Sequence, residues 1–79
     1  MSDVIDVDAR RLLCPMPVIR LQDSVNQQAD GVRVRVTCTD PGTQNDIPAW
    51  CRINGHKLVS CEQFEEEYVF VVEKAGDGH

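Results

Sequence analysis

Apolar and polar residues alternate strictly in residues 32–38, which read VRVRVTC. The valines and Cys38 share one parity, and Arg33, Arg35 and Thr37 share the other. This period of two predicts a β-strand with one face buried and one face in solvent. Weaker patterns predict strands over residues 4–8, 57–61 and 68–74. The segment QFEEE separates the last two, and an antiparallel hairpin is the simplest connection.

Two other segments have the spacing of amphipathic helices. In residues 15–29, Val18, Leu21 and Val25 fall on one stripe, and Gly31 follows as a helix terminator. In residues 46–54 the apolar stripe is Ile47, Trp50 and Cys51, and Gly55 is the expected stop.

The start of the second helix has two candidate N-caps. Thr43 and Asp46 have the spacing of a capping box. A start at Thr43 places Pro48 deep enough to clash with a carbonyl four residues earlier, whereas a start at Asp46 leaves it in the first turn. We therefore predict the later start.

The predicted order β-α-β-α-β-β belongs to the α/β class. Because strand–helix–strand crossovers are right-handed, it implies an α+β two-layer sandwich, in which a mixed four-stranded sheet carries both helices on one face. A length of 79 residues predicts one domain over residues 1–79. The polar residues 75–79 are expected to fray.

Charge argues against nucleic acid as a direct partner. The net charge is −5 and the sequence pI is about 4.7, and the densest basic cluster is Arg10-Arg11. The sequence has neither a signal-peptide pattern nor an apolar run of the ~20 residues that a membrane span requires. We expect a cytoplasmic monomer with no membrane association and with reduced thiols.

The four cysteines have different settings. Cys38 has the buried parity of its strand, Cys51 lies on a helical apolar stripe, and Cys61 shares parity with Val59. Each of these three is expected to be a small core residue. Cys14 is different, because it stands in LLCPMP at the start of the first helix.

Two prolines shape the surroundings of Cys14. Pro15 fits the first helical position, so Cys14 is predicted as the N-cap, with its sulfur near the positive end of the helix dipole. That setting favours the reactive thiolate. Pro15 and Pro17 lack amide donors, which leaves Met16 N–H to bond the sulfur and predicts moderate activation. Nearby candidates for partner contacts are Arg10, Arg11 and Arg20.

Other conspicuous residues have simpler structural explanations. His56 follows a helix stop and opens a strand, Trp50 fits the core, and Asp40 belongs to an Asp-Pro-Gly turn. The run of glutamates at 65–67 is interpreted as a solvated loop. We predict no metal site, because the cysteines include no close pair.

The motif Cys14-Pro15-Met16-Pro17 resembles the Cys-Pro-x-Pro hallmark that opens the first helix of TusA/SirA-like sulfur-carrier proteins. The resemblance extends over residues 4–74 and includes further residues in the family order, which are Asp40-Pro41-Gly42, Asp46-Ile47, Trp50 and Gly55-His56. One departure is Arg11, which stands where the family usually has glycine. A glycine there permits a positive φ or the close approach of a partner.

The resemblance implies a sulfur carrier, a sulfurtransferase in the sense that it turns over with its partners. Family members accept a sulfane sulfur as a persulfide on the motif cysteine, from a cysteine desulfurase or a rhodanese. They pass it to another protein's cysteine, often of the DsrE/TusBCD type, in tRNA thiolation, molybdenum-cofactor enzymes or sulfur oxidation. The same two-layer fold is implied. Such a relay requires no metal or other cofactor.

Two other classes stay open at this point. A thiol redox protein could use the same cysteine, although no Cys-x-x-Cys pair is present. A non-catalytic interaction or regulatory module would not need the thiol at all.

Overall fold

The computed structural model describes residues 4–13 and 15–75. Within these ranges the chain alternates strands and helices in the predicted order, β-α-β-α-β-β. The elements are β1 (Val4–Ala9), α1 (Met16–Asn26), β2 (Arg33–Cys38), α2 (Thr43–Asn54), β3 (Lys57–Phe64) and β4 (Glu67–Glu73).

The sheet has the spatial order β1-β2-β4-β3. β1 and β2 are parallel, and β4 runs antiparallel to both β2 and β3. α1 contacts β1 and β2, α2 contacts β3 and β4, and the two helices contact each other. The mixed four-stranded sheet and the two-layer sandwich are therefore confirmed.

The core lies between the sheet and the helices. In β2, Val34, Val36 and Cys38 are fully buried, whereas Arg33 and Arg35 are exposed, as the alternation predicts. The helices add a second apolar layer, which consists of Pro17, Leu21, Val25, Ile47, Trp50 and Cys51.

The opposite face of the sheet carries ion pairs between residues that lie directly across from each other. Arg35 Nε lies 2.6 Å from Asp6 Oδ1, and Arg33 Nε lies 3.2 Å from Glu73 Oε1. The hydrogen bond from Arg35 lowers the pKa of Asp6. Because these side chains are well solvated, each ion pair contributes little to stability. The main effect of these residues is to keep this face of the sheet polar.

α1 ends earlier than predicted. Its last residue is Asn26, because the N–H groups of Gln27 and Gln28 bond to carbonyls three residues back, a tightening typical of helix ends. Gly31 has a φ of 87°, and its N–H donates to Lys74 O at 3.0 Å. This glycine therefore joins the loop to the end of β4 and does not cap the helix.

α2 starts earlier than predicted, so the preference for Asp46 as its N-cap is wrong. The N-cap is Gly42, and Thr43 is fully buried with both its N–H and Oγ1 donating to Asp40 O, at 3.0 and 2.7 Å. Pro48 lies inside the helix, where it cannot donate to the carbonyl of Gln44. Gln44 is exposed, so water can bond to that carbonyl instead.

The hairpin is confirmed but longer than predicted. Phe64 pairs with Glu67, which leaves two residues in the turn. A register shift between Leu58 and Ser60 marks a β-bulge in β3. All residues from 61 to 66 are exposed, so the hairpin extends past the layer of helices.

His56 connects the end of α2 to the end of the sheet. Gly55 has a φ of 77°, and His56 N–H donates to Cys51 O at 2.9 Å, which confirms the glycine stop. Ala75 N–H donates to His56 Nδ1 at 3.0 Å, and the His56 ring lies 5.0 Å from that of Trp50. Ala75 is thus held although residues 75–79 were expected to fray; residues 76–79 lie outside the described residues.

Neither α1 nor α2, the helices of the described ranges, has the length and apolar composition of a membrane-spanning helix.

Acidification is expected to weaken the His56 connection. Nδ1 accepts the Ala75 N–H and so carries no proton, and desolvation, then the charge of Lys74, lowers the pKa of His56. The unfolded chain therefore binds the proton more readily than the folded chain. The stability that the neutral His56 ring contributes is fully present above about pH 6.5 and is lost as the pH falls below that value.

We expect the free energy of unfolding to fall by less than about 1 kcal/mol from this source between pH 7.5 and 5.5, since the ring is partly solvated. Urea unfolding at both pH values measures it. His56→Asn retains an acceptor oxygen without a titrating ring and should remove this part of the pH dependence. Equal pH dependence in both proteins would contradict the assignment.

Candidate functional site

The loop between β1 and α1 is tied to the end of β2. Leu12 N–H donates to Ala9 O at 3.4 Å, and Arg11 N–H donates to Thr39 Oγ1 at 2.8 Å. Ala9 itself is fully buried. Cys14 lies outside the described residues, so the site is defined by the neighbours that precede and follow it.

The first turn of α1 begins one residue later than predicted. Pro15 is at the N-cap, with φ −95° and ψ 12°, and Met16 is the first helical residue. The assignment of Cys14 as the N-cap is therefore wrong by one position. A proline φ is compatible with either position, which is why the sequence pattern did not separate them.

The amide that was expected to bond the sulfur is used elsewhere. Met16 N–H donates to Leu13 O at 2.8 Å. Pro15 and Pro17 have no N–H, so residues 15–17 offer no free backbone donor. Pro17 is fully buried and fixes the first turn against the core. The result is a helix start that is well anchored and poor in donors.

Exposed apolar side chains flank the cysteine on both sides. Leu13 is 75% exposed, Met16 44% and Ile19 43%. Met16 and Ile19 are three residues apart and share a face of α1 that differs from its buried stripe, and Leu13 lies three residues before Met16. Sequence reasoning did not single them out, although the i, i+3 spacing of Leu13, Met16 and Ile19 was a usable signal.

The three candidate arginines differ in how they are paired. Arg20 is exposed and forms no ion pair with a described residue. Arg10 bonds both carboxylate oxygens of Asp8, at 2.9 and 3.1 Å, and its Nη1 lies 3.6 Å from Glu67 Oε2. The hydrogen bonds from Arg10 lower the pKa of Asp8 to about 2, with a small further contribution from the charge of Arg20. Arg11 makes no side-chain ion pair with any described residue.

Arg11 has a left-handed backbone conformation, with φ 69°. Residues other than glycine adopt it at a cost of roughly 1–2 kcal/mol. The glycine that the related proteins were expected to carry here fits this geometry without strain. Arginine thus occupies a backbone position that suits glycine, and it places an exposed cation in the loop before the site.

The other cysteines fall into two groups. Cys38 and Cys51 are buried as expected, and burial raises the pKa of each thiol to about 11. Cys61 is exposed, so its assignment to the core is wrong. It lies on an edge strand beyond the bulge, in the part of the hairpin that the helices do not cover.

The remaining polar candidates have structural partners. Trp50 Nε1 donates to Gln22 Oε1 at 3.1 Å, His56 joins the C-terminal segment to α2, and the carbonyl of Asp40 accepts from Thr43. Within residues 4–13 and 15–75, no three His, Cys, Asp or Glu side chains come together as metal ligands.

Substitutions at Arg11 test the strained turn. Arg11→Gly should lie within about 1 kcal/mol of the parent, because relief of strain is offset by the greater freedom of glycine in the unfolded chain. Arg11→Val should be less stable than Arg11→Gly by about 1–2 kcal/mol, because a β-branched residue tolerates this φ poorly. Guanidinium unfolding compares the two, and equal stabilities would contradict the positive φ.

Comparisons with known proteins show which family the chain belongs to. The sequence model of the family described as Sulfurtransferase TusA matches residues 5–74. The chain is 38% identical over 71 residues to the sulfur carrier protein TusA of Pseudomonas paraeruginosa, covering 90% of both chains. It is 36% identical over 80 residues to TusA of Pseudomonas entomophila, covering 98% of this chain and all of that one.

A relative from another genus gives a similar result. The putative sulfur carrier protein YrkI of Bacillus subtilis is 40% identical over 60 residues, which cover 76% of this chain and 77% of YrkI. The family match spans nearly all of the chain, and each of these relatives is matched over most of its length. This chain therefore belongs to the TusA family of sulfurtransferases and is a sulfur carrier.

Proposed function

We propose that the protein carries sulfur as a persulfide on Cys14 and transfers it to a cysteine of a partner protein. The observation that carries the proposal is the helix start at Pro15-Met16-Pro17, which directly follows Cys14 in a chain of the sulfur-carrier family. Two prolines, of which Pro17 is fully buried, hold this segment in one geometry, so we expect the thiol that precedes it in the sequence to adjoin a rigid support.

The other thiols are poorer candidates. Cys38 and Cys51 are buried, and a pKa of about 11 leaves almost no thiolate at neutral pH. Cys61 is exposed but lies within an edge strand and does not adjoin a helix start. It is the thiol against which the role of Cys14 must be tested.

The transfer steps balance without an added oxidant or reductant. The Cys14 thiolate attacks the outer sulfur of a donor persulfide, a sulfur–sulfur bond forms at Cys14, and the donor's sulfur–sulfur bond breaks to release its thiolate. In the second half, an acceptor thiolate attacks the outer sulfur on Cys14, whose thiolate leaves. A thiol of moderate pKa suits this double role, because it must serve as both nucleophile and leaving group.

The exposed apolar residues around Cys14 suit transient contact with other proteins. Leu13, Met16 and Ile19 would be covered when a partner approaches the sulfur. We assign the donor to the cysteine desulfurase or rhodanese class and the acceptor to the DsrE/TusBCD class. The relay would then supply tRNA thiolation or sulfur oxidation.

Intact-protein mass spectrometry tests the assignment. The protein is incubated with a cysteine desulfurase and cysteine, or with a rhodanese and thiosulfate, and in parallel with inorganic polysulfide. We expect the gain of one sulfur atom, reversed by dithiothreitol and abolished in Cys14→Ser. The matched control is Cys61→Ser, which removes the exposed competing thiol and should load like the parent.

Three results would overturn the proposal. Loss of the adduct in Cys61→Ser with retention in Cys14→Ser would move the site to β3. Failure of all three sulfur sources to load the parent would contradict persulfide carriage. A disulfide between Cys14 and Cys61 in place of the adduct would favour a thiol redox protein.

A further inference from the structure

A crevice separates the turn that precedes α1 from the tip of the β3–β4 hairpin. One wall consists of Asp8, Arg10, Arg11 and Thr39, and residues 63–67 form the other. The ion pair between Arg10 and Glu67 spans the two walls at 3.6 Å. The crevice is open to solvent and lies against the loop that leads to Cys14.

The topology places the crevice beside the loop that precedes Cys14 in the sequence. β1 and β2 are parallel and end at Ala9 and Cys38, and Cys38 pairs with Tyr68 at the start of β4. The hairpin tip therefore lies at the same end of the sheet as the loop after β1. Arg11 is three residues before Cys14 in the sequence, and three residues of chain span at most about 11 Å.

The walls of the crevice carry unpaired charges of opposite sign. Among the described residues, the side chains of Glu65, Glu66 and Arg11 are exposed and make no ion pair. Arg10 is already neutralised by Asp8 and Glu67. Two carboxylates and one guanidinium are thus available to a docking partner.

Phe64 adds an apolar contact to the same crevice. Its aromatic side chain is 56% exposed and lies next to the turn of the hairpin.

The crevice is also lined by both non-glycine residues that have a positive φ in the described ranges. These are Arg11, at 69°, and Glu65, at 55°. Such backbone strain is concentrated in proteins at binding and switch regions.

The chemistry of sulfur transfer indicates what kind of surface would fit. A partner's cysteine must be a thiolate to attack or to leave, and neighbouring Lys, Arg or His⁺ side chains favour that form. The surface around a partner's reactive cysteine is therefore expected to be positive. Such a surface complements Glu65 and Glu66, and the net charge of −5 assists its approach.

We propose that this crevice is the docking surface for the basic rim around a partner's reactive cysteine. Glu65 and Glu66 pair with basic side chains of the rim, and Phe64 supplies the apolar contact. Arg11 pairs with an acidic side chain beside the rim and so fixes the orientation of the partner. The proposal rests on the proposed function, because it assigns the partner surface for transfer at Cys14.

The test compares loading by a protein donor with loading by a small molecule. The variant Glu65→Lys/Glu66→Lys reverses two charges in the crevice. The matched control, Asp23→Lys/Glu62→Lys, makes the same change in net charge at exposed positions outside the crevice lining. Mass spectrometry follows the rate of sulfur gain from a cysteine desulfurase with cysteine, and separately from inorganic polysulfide, at low and high salt.

At low salt we expect the crevice variant to load from the desulfurase at least ~10-fold more slowly than the control, because charges at a binding rim act mainly on the association rate. The difference should shrink at high salt. Loading from polysulfide should be no slower than in the parent, which shows that the fold and the thiol are intact. Glu65→Gln/Glu66→Gln should have an intermediate effect with the desulfurase.

Equal loading of the crevice variant and the control from the desulfurase would overturn the docking proposal and leave persulfide carriage standing. Loading of the parent from polysulfide but from no protein donor would also overturn the docking proposal. Failure of the parent to load from any source would instead overturn the proposed function itself.

Discussion

The hydrogen bond from Arg11 N–H to Thr39 Oγ1 is the contact on which the geometry of the site depends. It joins the turn after β1 to the residue that follows β2, and so fixes the position of the loop relative to the sheet. The bond from Met16 N–H to Leu13 O and the burial of Pro17 fix the other end of the loop. The described residues on both sides of Cys14 are thus held in place.

Burial then separates the thiols by their chemistry. The core between helices and sheet includes Cys38 and Cys51, whose thiols have their pKa raised to about 11 by desolvation. The same packing that stabilises the fold therefore keeps two of the four thiols unreactive. In a sulfur carrier, this burial prevents sulfur from loading on the two core thiols.

The sequence predicts the fold more completely than it predicts the arrangement of the candidate site. Strict alternation in β2 and the glycine stop at Gly55 are local signals, and both agree with the structure. The start of α2 was missed because buried Thr43 and the turn at Asp40 outweigh the unfavourable Pro48, a tertiary effect. The exposure of Cys61 depends on how far the hairpin extends beyond the helices, and the crevice at Arg11 and Glu65 depends on long-range topology.

If Cys14 is the carrier thiol, its reactivity must exceed that of the other three thiols. The most direct measurement is the alkylation rate of each cysteine in the native protein at pH 7, read by mass spectrometry of its peptides with iodoacetamide as the probe. We expect Cys14 to react roughly tenfold or more faster than Cys61, and Cys38 and Cys51 to react only after unfolding. A rate for Cys14 no higher than that of Cys61, or ready reaction of the two buried thiols, would contradict the selective reactivity of Cys14.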